Sequence, residues 1–314
     1  MTTLVTGAGL IGTAFAQEAV KRGEKLVFFD ARPDAAYLRV KLGEADVAVV
    51  RGDVRDLPSL VDAVRSHGVD TLVHTAGLIG GNVAAALYTG LQINVVGTIN
   101  VAEAARLGGV RRFVHVSTHG VYNRRIAHRG PITEDHPRGG GGPYASSKTA
   151  NEVLLETYAE QYGFELLMVR PAAVFGYGHY LAGSSAGMRI HALVEGGVAG
   201  TAVALSAAQA APAEYVYAKD VGRMIDRLAT MAMPSEAVFN AATGIVSTID
   251  ELVAAARSAL PGLEVRVEPS RAAAPEPLSI ARARDVLEWE PAYSLEEAFA
   301  DYVEEYRRAL AAGS

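Results

Sequence analysis

Tyr144 and Lys148 stand four residues apart in Tyr144-Ala145-Ser146-Ser147-Lys148, at the start of a stretch that reads as a helix. Residues i and i+4 share a helix face, so one cleft can receive both the phenol and the ammonium. A free phenol titrates near 10 and is a poor base at neutral pH. A nearby cation favours phenolate and is expected to lower that value. Tyr144 would then move a proton on a substrate oxygen. The run Phe113-Val114-His115-Val116-Ser117-Thr118 reads as a strand ending in two hydroxyls, and a hydroxyl placed there can donate to the same oxygen.

A second constellation sits at the N-terminus. Val5-Thr6-Gly7-Ala8-Gly9-Leu10-Ile11-Gly12 follows a short apolar run and opens a helical one. In such a loop the first glycine permits a tight turn and the second lets backbone approach a pyrophosphate. The third permits close helix–strand packing, while the helix N-terminus supplies amide donors. Asp30 ends the second apolar run, 18 residues past Gly12, where an acidic group meets the adenosine ribose. A carboxylate there accepts from the 2′-hydroxyl and repels a 2′-phosphate, which favours NAD over NADP. Arg32 is placed to stack on adenine or to tolerate a phosphate, and Asp53 with Val54 to meet the adenine edge. Thr75, Ala76 and Gly77 end the fourth run in small residues, as a strand passing under the cofactor should. The positive nicotinamide would join Lys148 in favouring phenolate, and hydride would travel while Tyr144 moves its proton.

Those residues need a sheet to hold them. Thr2–Thr6, Lys25–Asp30, Val47–Arg51, Thr71–Thr75, Arg112–Ser117 and Glu165–Arg170 are short, apolar and without polar alternation. Strands buried on both faces look like this. Helical stretches lie between them at Ile11–Arg22, Leu57–Ser66, Val83–Arg106 and Tyr144–Tyr162, followed by Gly23, Gly68, Gly108 and Gly163 at C-cap positions. The alternation predicts an α/β fold, a Rossmann-type doubly wound parallel sheet, with a smaller C-terminal α+β substrate lobe. Residues 1–175 form the expected cofactor domain, with later returns near 212–243. Residues 176–314 form the expected substrate lobe, interleaved with the first. Gly176–Ala213 reads as loops and lid-like elements with a helix at Met188–Glu195. Later strands are expected at Tyr215–Val216, Val238–Asn240 and Glu264–Val267, and helices at Thr248–Ala259 and Leu295–Leu310.

The 314 residues are half hydrophobic and carry a net charge of −6, which argues against a general nucleic-acid binder. The chain has no cysteine, which excludes disulfides, zinc–thiolate sites, iron–sulfur clusters and thiol nucleophiles. No metal is expected. No apolar run is long enough to span a membrane and no signal peptide is evident, so the expectation is a cytoplasmic protein without membrane partners.

With these features together, the chain resembles the extended short-chain dehydrogenase/reductases of the NAD-dependent epimerase/dehydratase family. The resemblance runs nearly end to end. It includes the glycine loop, Gly52-Asp53-Val54-Arg55-Asp56, Asn94-Val95-Val96-Gly97-Thr98, Tyr144-x-x-x-Lys148, Arg170-Pro171, Tyr215-Val216-Tyr217-Ala218-Lys219-Asp220-Val221, Phe239-Asn240-Ala241 and Leu287-Glu288-Trp289-Glu290-Pro291. It implies that Tyr144 is the acid/base, Lys148 its partner and holder of the nicotinamide ribose, and Thr118 the substrate-side hydroxyl, with Ser117 the fallback. It implies a supporting role for Asn94, a cofactor contact at Pro171, and a homodimer.

The departures bear on the substrate. The loop has the Gly-x-Gly-x-x-Gly spacing, one residue shorter than is usual in extended members. His119-Gly120 stand where 4,6-dehydratases place an acidic pair, so dehydration is disfavoured, and His119 is a candidate to touch substrate. Ala173 occupies the place of an asparagine usual in nucleotide-sugar enzymes. Ala210-Ala211-Pro212-Ala213-Glu214 holds no cation where an arginine commonly grips pyrophosphate. Arg271 aligns loosely with the family's second phosphate-binding arginine. Arg189, His191 and Lys219 are other cations in the lobe, read as surface residues. The four glycines Gly139–Gly142 are expected to be loose, either an active-site loop that orders on substrate or a tolerated insertion. The expected reaction is reversible hydride transfer at a secondary alcohol carbon of a sugar or sugar nucleotide, with epimerisation the outcome if the keto intermediate is reduced from its other face. The alternatives are dehydrogenation of a small polyol, sugar acid or hydroxy/amino acid and, more remotely, a non-catalytic NAD sensor.

Overall fold

The computed structural model describes residues 1–178 and 184–313. Its first part runs β1 (Thr2–Thr6), α1 (Leu10–Lys21), β2 (Lys25–Asp30), α2 (Ala35–Leu42), β3 (Ala48–Arg51), α3 (Leu57–Ser66), β4 (Thr71–His74), α4 (Gly81–Ala85), α5 (Leu87–Leu91), a π-helical turn at Gln92–Val96, α6 (Gly97–Gly108), β5 (Arg112–Val116), α7 (Pro143–Tyr162) and β6 (Glu165–Pro171). The remainder runs β7 (Ala173–Phe175), α8 (Ser185–Ala199), β8 (Val203–Leu205), β9 (Ala213–Tyr217), α9 (Ala218–Thr230), β10 (Val238–Ala241), β11 (Val246–Ser247), α10 (Ile249–Ala259), β12 (Val265–Val267), α11 (Ala281–Leu287) and α12 (Leu295–Gly313).

Among the described residues the main sheet has seven strands in the order β10-β6-β5-β4-β1-β2-β3, and its pairings are parallel. This is the doubly wound order, which reverses between β1 and β4 and opens a crevice beyond the strands' carboxyl ends. The glycine loop leaves β1 there, Thr75 follows β4, and Thr118 stands two residues past β5. Apolar side chains fill both faces. Val5, Phe28, Val73, Val114 and Val169 pack toward α1 and α9. Leu4, Val27, Leu72, Phe113 and Met168 pack toward α3, α6 and α7. A third core joins α8, α10 and α12 to β7 and β9. The two smaller sheets are β11-β9-β7 and β12-β8.

Two expectations change. Val83–Arg106 is not one helix: the backbone breaks at Ala86 (φ −140°, ψ 69°), and the π turn at Gln92–Val96 precedes α6. In the stretch from Gly176, the helix expected at Met188–Glu195 is present but longer, as the fifteen-residue α8, and the strand β8 follows where loop was expected. Ser184 caps α8 by accepting from Gly187 N–H. Residues 179–183 of the lid-like segment lie outside the described residues. No helix among the described residues is long and apolar enough to cross a membrane.

Candidate active site

The glycine loop has little room for side chains. Gly7 has φ of 91°, and a Cβ there would stand 2.8 Å from Thr75 Oγ1 and 2.9 Å from the Ala76 nitrogen. At Gly12 a Cβ would stand 2.2 Å from the Gly7 carbonyl oxygen. Gly9 precedes α1 without a side-chain cap, so the helix N-terminus that begins with Leu10 and Ile11 is left to a ligand. Thr75 Oγ1 donates to the carbonyls of Thr6 (2.8 Å) and Gly7 (3.0 Å), tying β4 to the loop. Asp30 accepts from Ala8 N–H (2.7 Å) on one oxygen and Arg32 N–H (2.7 Å) on the other. Its carboxylate is thereby fixed beside the loop with acceptor capacity left for ribose hydroxyls. The cradle fits a dinucleotide.

The other cofactor candidates have defined surroundings. Arg32 is exposed. Asp53 accepts from Arg55 N–H (2.9 Å) and pairs with its guanidinium (2.6 Å), which holds the carboxyl below its ordinary pKa. Val54 is buried against α6, where a Cβ on Gly97 would reach its Cγ2 at 2.5 Å. Gly77 faces the Asn94 side chain, and Pro171 ends β6 opposite Ala241.

Thr118, and not Ser117, meets the phenol. Thr118 Oγ1 accepts from Gly120 N–H at 3.2 Å, and the Thr118 side chain lies close enough to the Tyr144 phenol to act on its pKa. Ser117 Oγ is buried without a partner among the described residues. Lys148, buried one helical turn after Tyr144, donates to the Val116 carbonyl at 2.8 Å. Burial pushes the Tyr144 phenol up to about 12, against Thr118, which holds it down. Burial pulls the Lys148 ammonium down to about 8, against the charge of Glu152. The expected depression of the phenol therefore does not arise in the chain by itself. Desolvation outweighs the effect of Thr118, and the ammonium is engaged by backbone.

Asn94 is a positioning residue. Its Oδ1 accepts from Leu78 N–H (2.8 Å), while Nδ2 donates to the Leu78 carbonyl (2.9 Å) and to Ser147 Oγ (3.1 Å). Ser147 Oγ donates in turn to the Tyr144 carbonyl at 2.8 Å. Both N–H groups are thus spent on fixing the segment after β4 against α7.

Sequence reasoning missed the group that anchors α7. Glu152 lies four residues after Lys148 and is fully buried. Arg170 of β6 donates to it through Nε (2.9 Å) and Nη2 (2.6 Å) and to the Glu134 carbonyl through Nη1 (2.9 Å). The same guanidinium lies 4.9 Å from the Tyr122 ring centroid, and Tyr122 OH donates to Asn240 Oδ1 at 2.6 Å. The i, i+4 spacing of Lys148 and Glu152 was visible, but the partner on β6 was not.

The glycine run is not loose. Gly139 and Gly140 donate N–H to the Val121 carbonyl at 2.9 and 3.0 Å. A Cβ on Gly140 would stand 1.7 Å from the Gly120 carbonyl oxygen, whereas one on Gly141 would meet nothing within 4 Å. Arg138 ties one end of the run to Glu156 (2.8 Å), and Gly142, with φ of 87°, leads into α7 at the other. The strap therefore links the Thr118–Val121 turn to the helix carrying Tyr144. We expect Gly140→Ala to lower kcat at least tenfold by displacing Thr118 from Tyr144, and Gly141→Ala to stay within twofold of the unaltered chain. Steady-state rates at saturating substrate check this, and equal rates for the two variants would contradict it.

On the substrate side, His119 is half-buried, and burial followed by the Arg124 charge lowers its pKa to about 4. It is neutral at physiological pH. Ala173 opens β7 and Ala213 opens β9, and neither offers a polar side chain. Arg271 is exposed in the segment after β12. Lys219 is committed to Asp301 (2.6 Å) and Glu305 (3.2 Å), and His191 to the Tyr302 hydroxyl (3.0 Å). Arg189 is not a surface residue: it is 4% exposed.

A doubly wound sheet, a glycine cradle with Asp30 fixed beside it, and a Thr–Tyr–Lys group define an enzyme of the extended short-chain dehydrogenase/reductase type. A family model for the NAD dependent epimerase/dehydratase family matches residues 3–242. A UDP-glucose 4-epimerase of Mycolicibacterium smegmatis is 31% identical over 98% of this chain and 99% of its own length. A dTDP-glucose 4,6-dehydratase of Xanthomonas campestris is 34% identical over 57% of this chain and 55% of its own. The solved UDP-glucose 4-epimerase of Thermus thermophilus, a complex with NAD, superposes with a TM-score of 0.82 at 26% identity, covering 98% of this chain and 99% of that one. The chain belongs to the NAD-dependent epimerase/dehydratase family, and its cofactor is NAD.

Proposed function

We propose that this protein is a sugar-nucleotide epimerase that acts by reversible hydride transfer at a secondary alcohol carbon. The observation that carries the reading is the Thr118–Tyr144 hydroxyl pair above buried Lys148, without a carboxylate at positions 119 and 120. NAD, when bound, supplies a reversible hydride acceptor. Thr118 donates to the substrate oxygen and holds it, and Tyr144 takes the hydroxyl proton as the alcohol becomes ketone. Lys148 keeps positive charge below the phenol and holds the nicotinamide ribose. On the return step Tyr144 gives the proton back. A ketone that turns over before it is reduced yields the epimer.

A 4,6-dehydratase must also remove a proton beside the ketone and protonate a leaving hydroxyl. Gly120 can do neither, and His119 is neutral and single. The sequence similarity to a dTDP-glucose 4,6-dehydratase extends over 57% of this chain, and a solved dTDP-glucose 4,6-dehydratase of Streptomyces venezuelae shares the fold over 98% of it. The full-length similarity to a UDP-glucose 4-epimerase supports epimerisation. Exposed Leu87, Tyr88 and Leu91 on α5 and Val153 on α7 support a homodimer through these helices, and we place the enzyme in the cytoplasm.

The test is incubation with UDP-glucose, UDP-glucuronic acid and dTDP-glucose, with products separated by chromatography and absorbance followed at 340 nm. Appearance of an epimer without net NADH is expected. Stoichiometric NADH release would replace the epimerase with a dehydrogenase, and a 4-keto-6-deoxy product would replace it with a dehydratase.

A further inference from the structure

We propose that His74 is a positioning residue for the acid/base step, holding the π turn that carries Asn94 and, through Asn94, the start of α7. The proposal rests on the reading of Tyr144 as the acid/base above and adds a buried group that sets its place.

Thr6, His74, Asn94 and Thr98 are all buried, and one chain of hydrogen bonds joins them. Thr6 Oγ1 and His74 Nδ1 are 2.6 Å apart, across the paired ends of β1 and β4. His74 Nε2 and Thr98 Oγ1 are 2.9 Å apart. Thr98 Oγ1 donates to the Asn94 carbonyl at 2.6 Å. Phe113 meets the His74 ring edge-on at 6.0 Å between centroids, and His115 stacks on it at 5.4 Å. The ring is held by packing as well as by its bonds.

The chemistry of these groups fixes the direction of each bond. Thr98 has one hydroxyl hydrogen, and it is spent on the Asn94 carbonyl. Thr98 Oγ1 must therefore accept from His74 Nε2–H. The imidazole is neutral, since burial and then the Lys148 charge pull its pKa down to about 3. A neutral imidazole has one N–H, so Nδ1 is the acceptor and the Thr6 hydroxyl donates to it. The other tautomer would set two lone pairs against each other at 2.9 Å. Unmatched polar groups are costly when buried.

The chain ends where the backbone is irregular. At Gln92–Val96 the helix widens, and Gly97 N–H reaches back to the Gln92 carbonyl. Such turns are rare and depart from the regular α-helical ladder. The Thr98 hydroxyl, oriented by His74, holds the Asn94 carbonyl within that turn. The Asn94 side chain then ties Leu78 to Ser147, and Ser147 Oγ donates to the Tyr144 carbonyl. At the other end Thr6 immediately precedes Gly7, so the same chain joins the glycine loop to the helix that carries the phenol. A misplacement of about 1 Å between reacting groups can cost about a hundredfold in rate. A buried chain remote from the substrate can therefore govern kcat.

Two experiments test the assignment. The first is NMR of the NAD-loaded enzyme made with isotope-labelled histidine, which reads the tautomer without any substrate. His74 should carry its proton on Nε2 and stay neutral between about pH 6 and pH 9, a range that spans the ordinary histidine pKa. A proton on Nδ1, or a titration of His74 in that range, would overturn the proposal. The second is the kinetics of UDP-glucose epimerisation. His74→Asn keeps an acceptor toward Thr6 but has no donor that reaches Thr98, and Thr98→Val removes the hydroxyl at constant shape. Each should lower kcat about tenfold, as loss of one hydrogen bond implies, with NAD affinity within twofold. The double variant should be no slower than the slower single one, because both break one chain. His74→Gln, whose amide nitrogen can replace Nε2, should lose less than His74→Asn. A merely structural histidine would lower stability and leave kcat of the folded enzyme unchanged; that result, or losses that multiply in the double variant, would refute the proposal. If the variants do not fold, the tautomer decides. Tyr144→Phe keeps the two levels apart: normal turnover there defeats the acid/base reading, whereas slow turnover there with His74→Asn at full rate defeats this inference alone.

Discussion

Tyr144→Phe is expected to lower kcat by about a thousandfold, inside the roughly 10²–10⁴-fold range of general acid–base catalysis, while leaving NAD bound. The substitution removes one oxygen from a ring whose packing is otherwise kept. The glycine cradle and Asp30 are untouched, so cofactor titration should give an affinity close to that of the unaltered chain. The alcohol proton loses its acceptor, and Thr118 can only donate or accept a hydrogen bond. The phenol's rise to about 12 means that it rests as the neutral acid in the chain alone. It is therefore poised to give a proton to the ketone in one direction, and it must be helped toward phenolate by the positive cofactor in the other. Thr118→Ala should cost less, because it removes the group that holds the phenol down and not the acid itself. Turnover within threefold of normal in Tyr144→Phe would remove Tyr144 from the chemistry.

The largest effect on stability is expected at Glu152. Arg170 is 3% exposed and Glu152 is fully buried, and their forked pair joins α7 to β6. Removing one partner leaves an unpaired buried charge, at a cost of about 3–5 kcal/mol. Glu152→Ala should lose that much in denaturant unfolding. Glu152→Leu with Arg170→Met should recover much of it, because two apolar groups leave no charge behind. The single variant should also disturb catalysis, since Glu152 supports the charge on Lys148 and fixes the helix that carries Tyr144. A loss below about 1 kcal/mol in Glu152→Ala would show that water reaches Arg170.

What was legible in the sequence divides along the range of the interactions. β1, β2, β4, β5 and β6 were readable because strands covered on both faces need uninterrupted apolar runs, and each run here is short and bounded. Gly163 was readable as a C-cap because its left-handed backbone (φ 77°) is a local requirement. Helix α9 carries a clear signal at Val221, Met224, Ile225 and Leu228, the spacing of a buried helix face. The break at Ala86 had no local signal, because alanine is a strong helix former and only tertiary packing interrupts it. Gly139–Gly142 looked loose for the same reason: the contact with Gly120 that demands Gly140 is made by another segment. Arg189 and Glu152 show the limit most clearly. A charged residue in a helix is read as solvated unless its burial is known, and that depends on strands folded elsewhere in the chain.

The central claim is that a hydride leaves and returns to the same carbon. The measurement that tests it most directly uses UDP-glucose carrying deuterium at C4. The purified enzyme is incubated with it in ordinary water, and the epimeric product is examined by mass spectrometry and proton NMR. The account predicts an epimer that keeps its deuterium at C4, because the hydride is held within one site while Tyr144 exchanges only the oxygen-bound proton. Loss of that deuterium to solvent, with inversion still taking place, would mean that a proton and not a hydride is removed from the carbon, and would contradict the account.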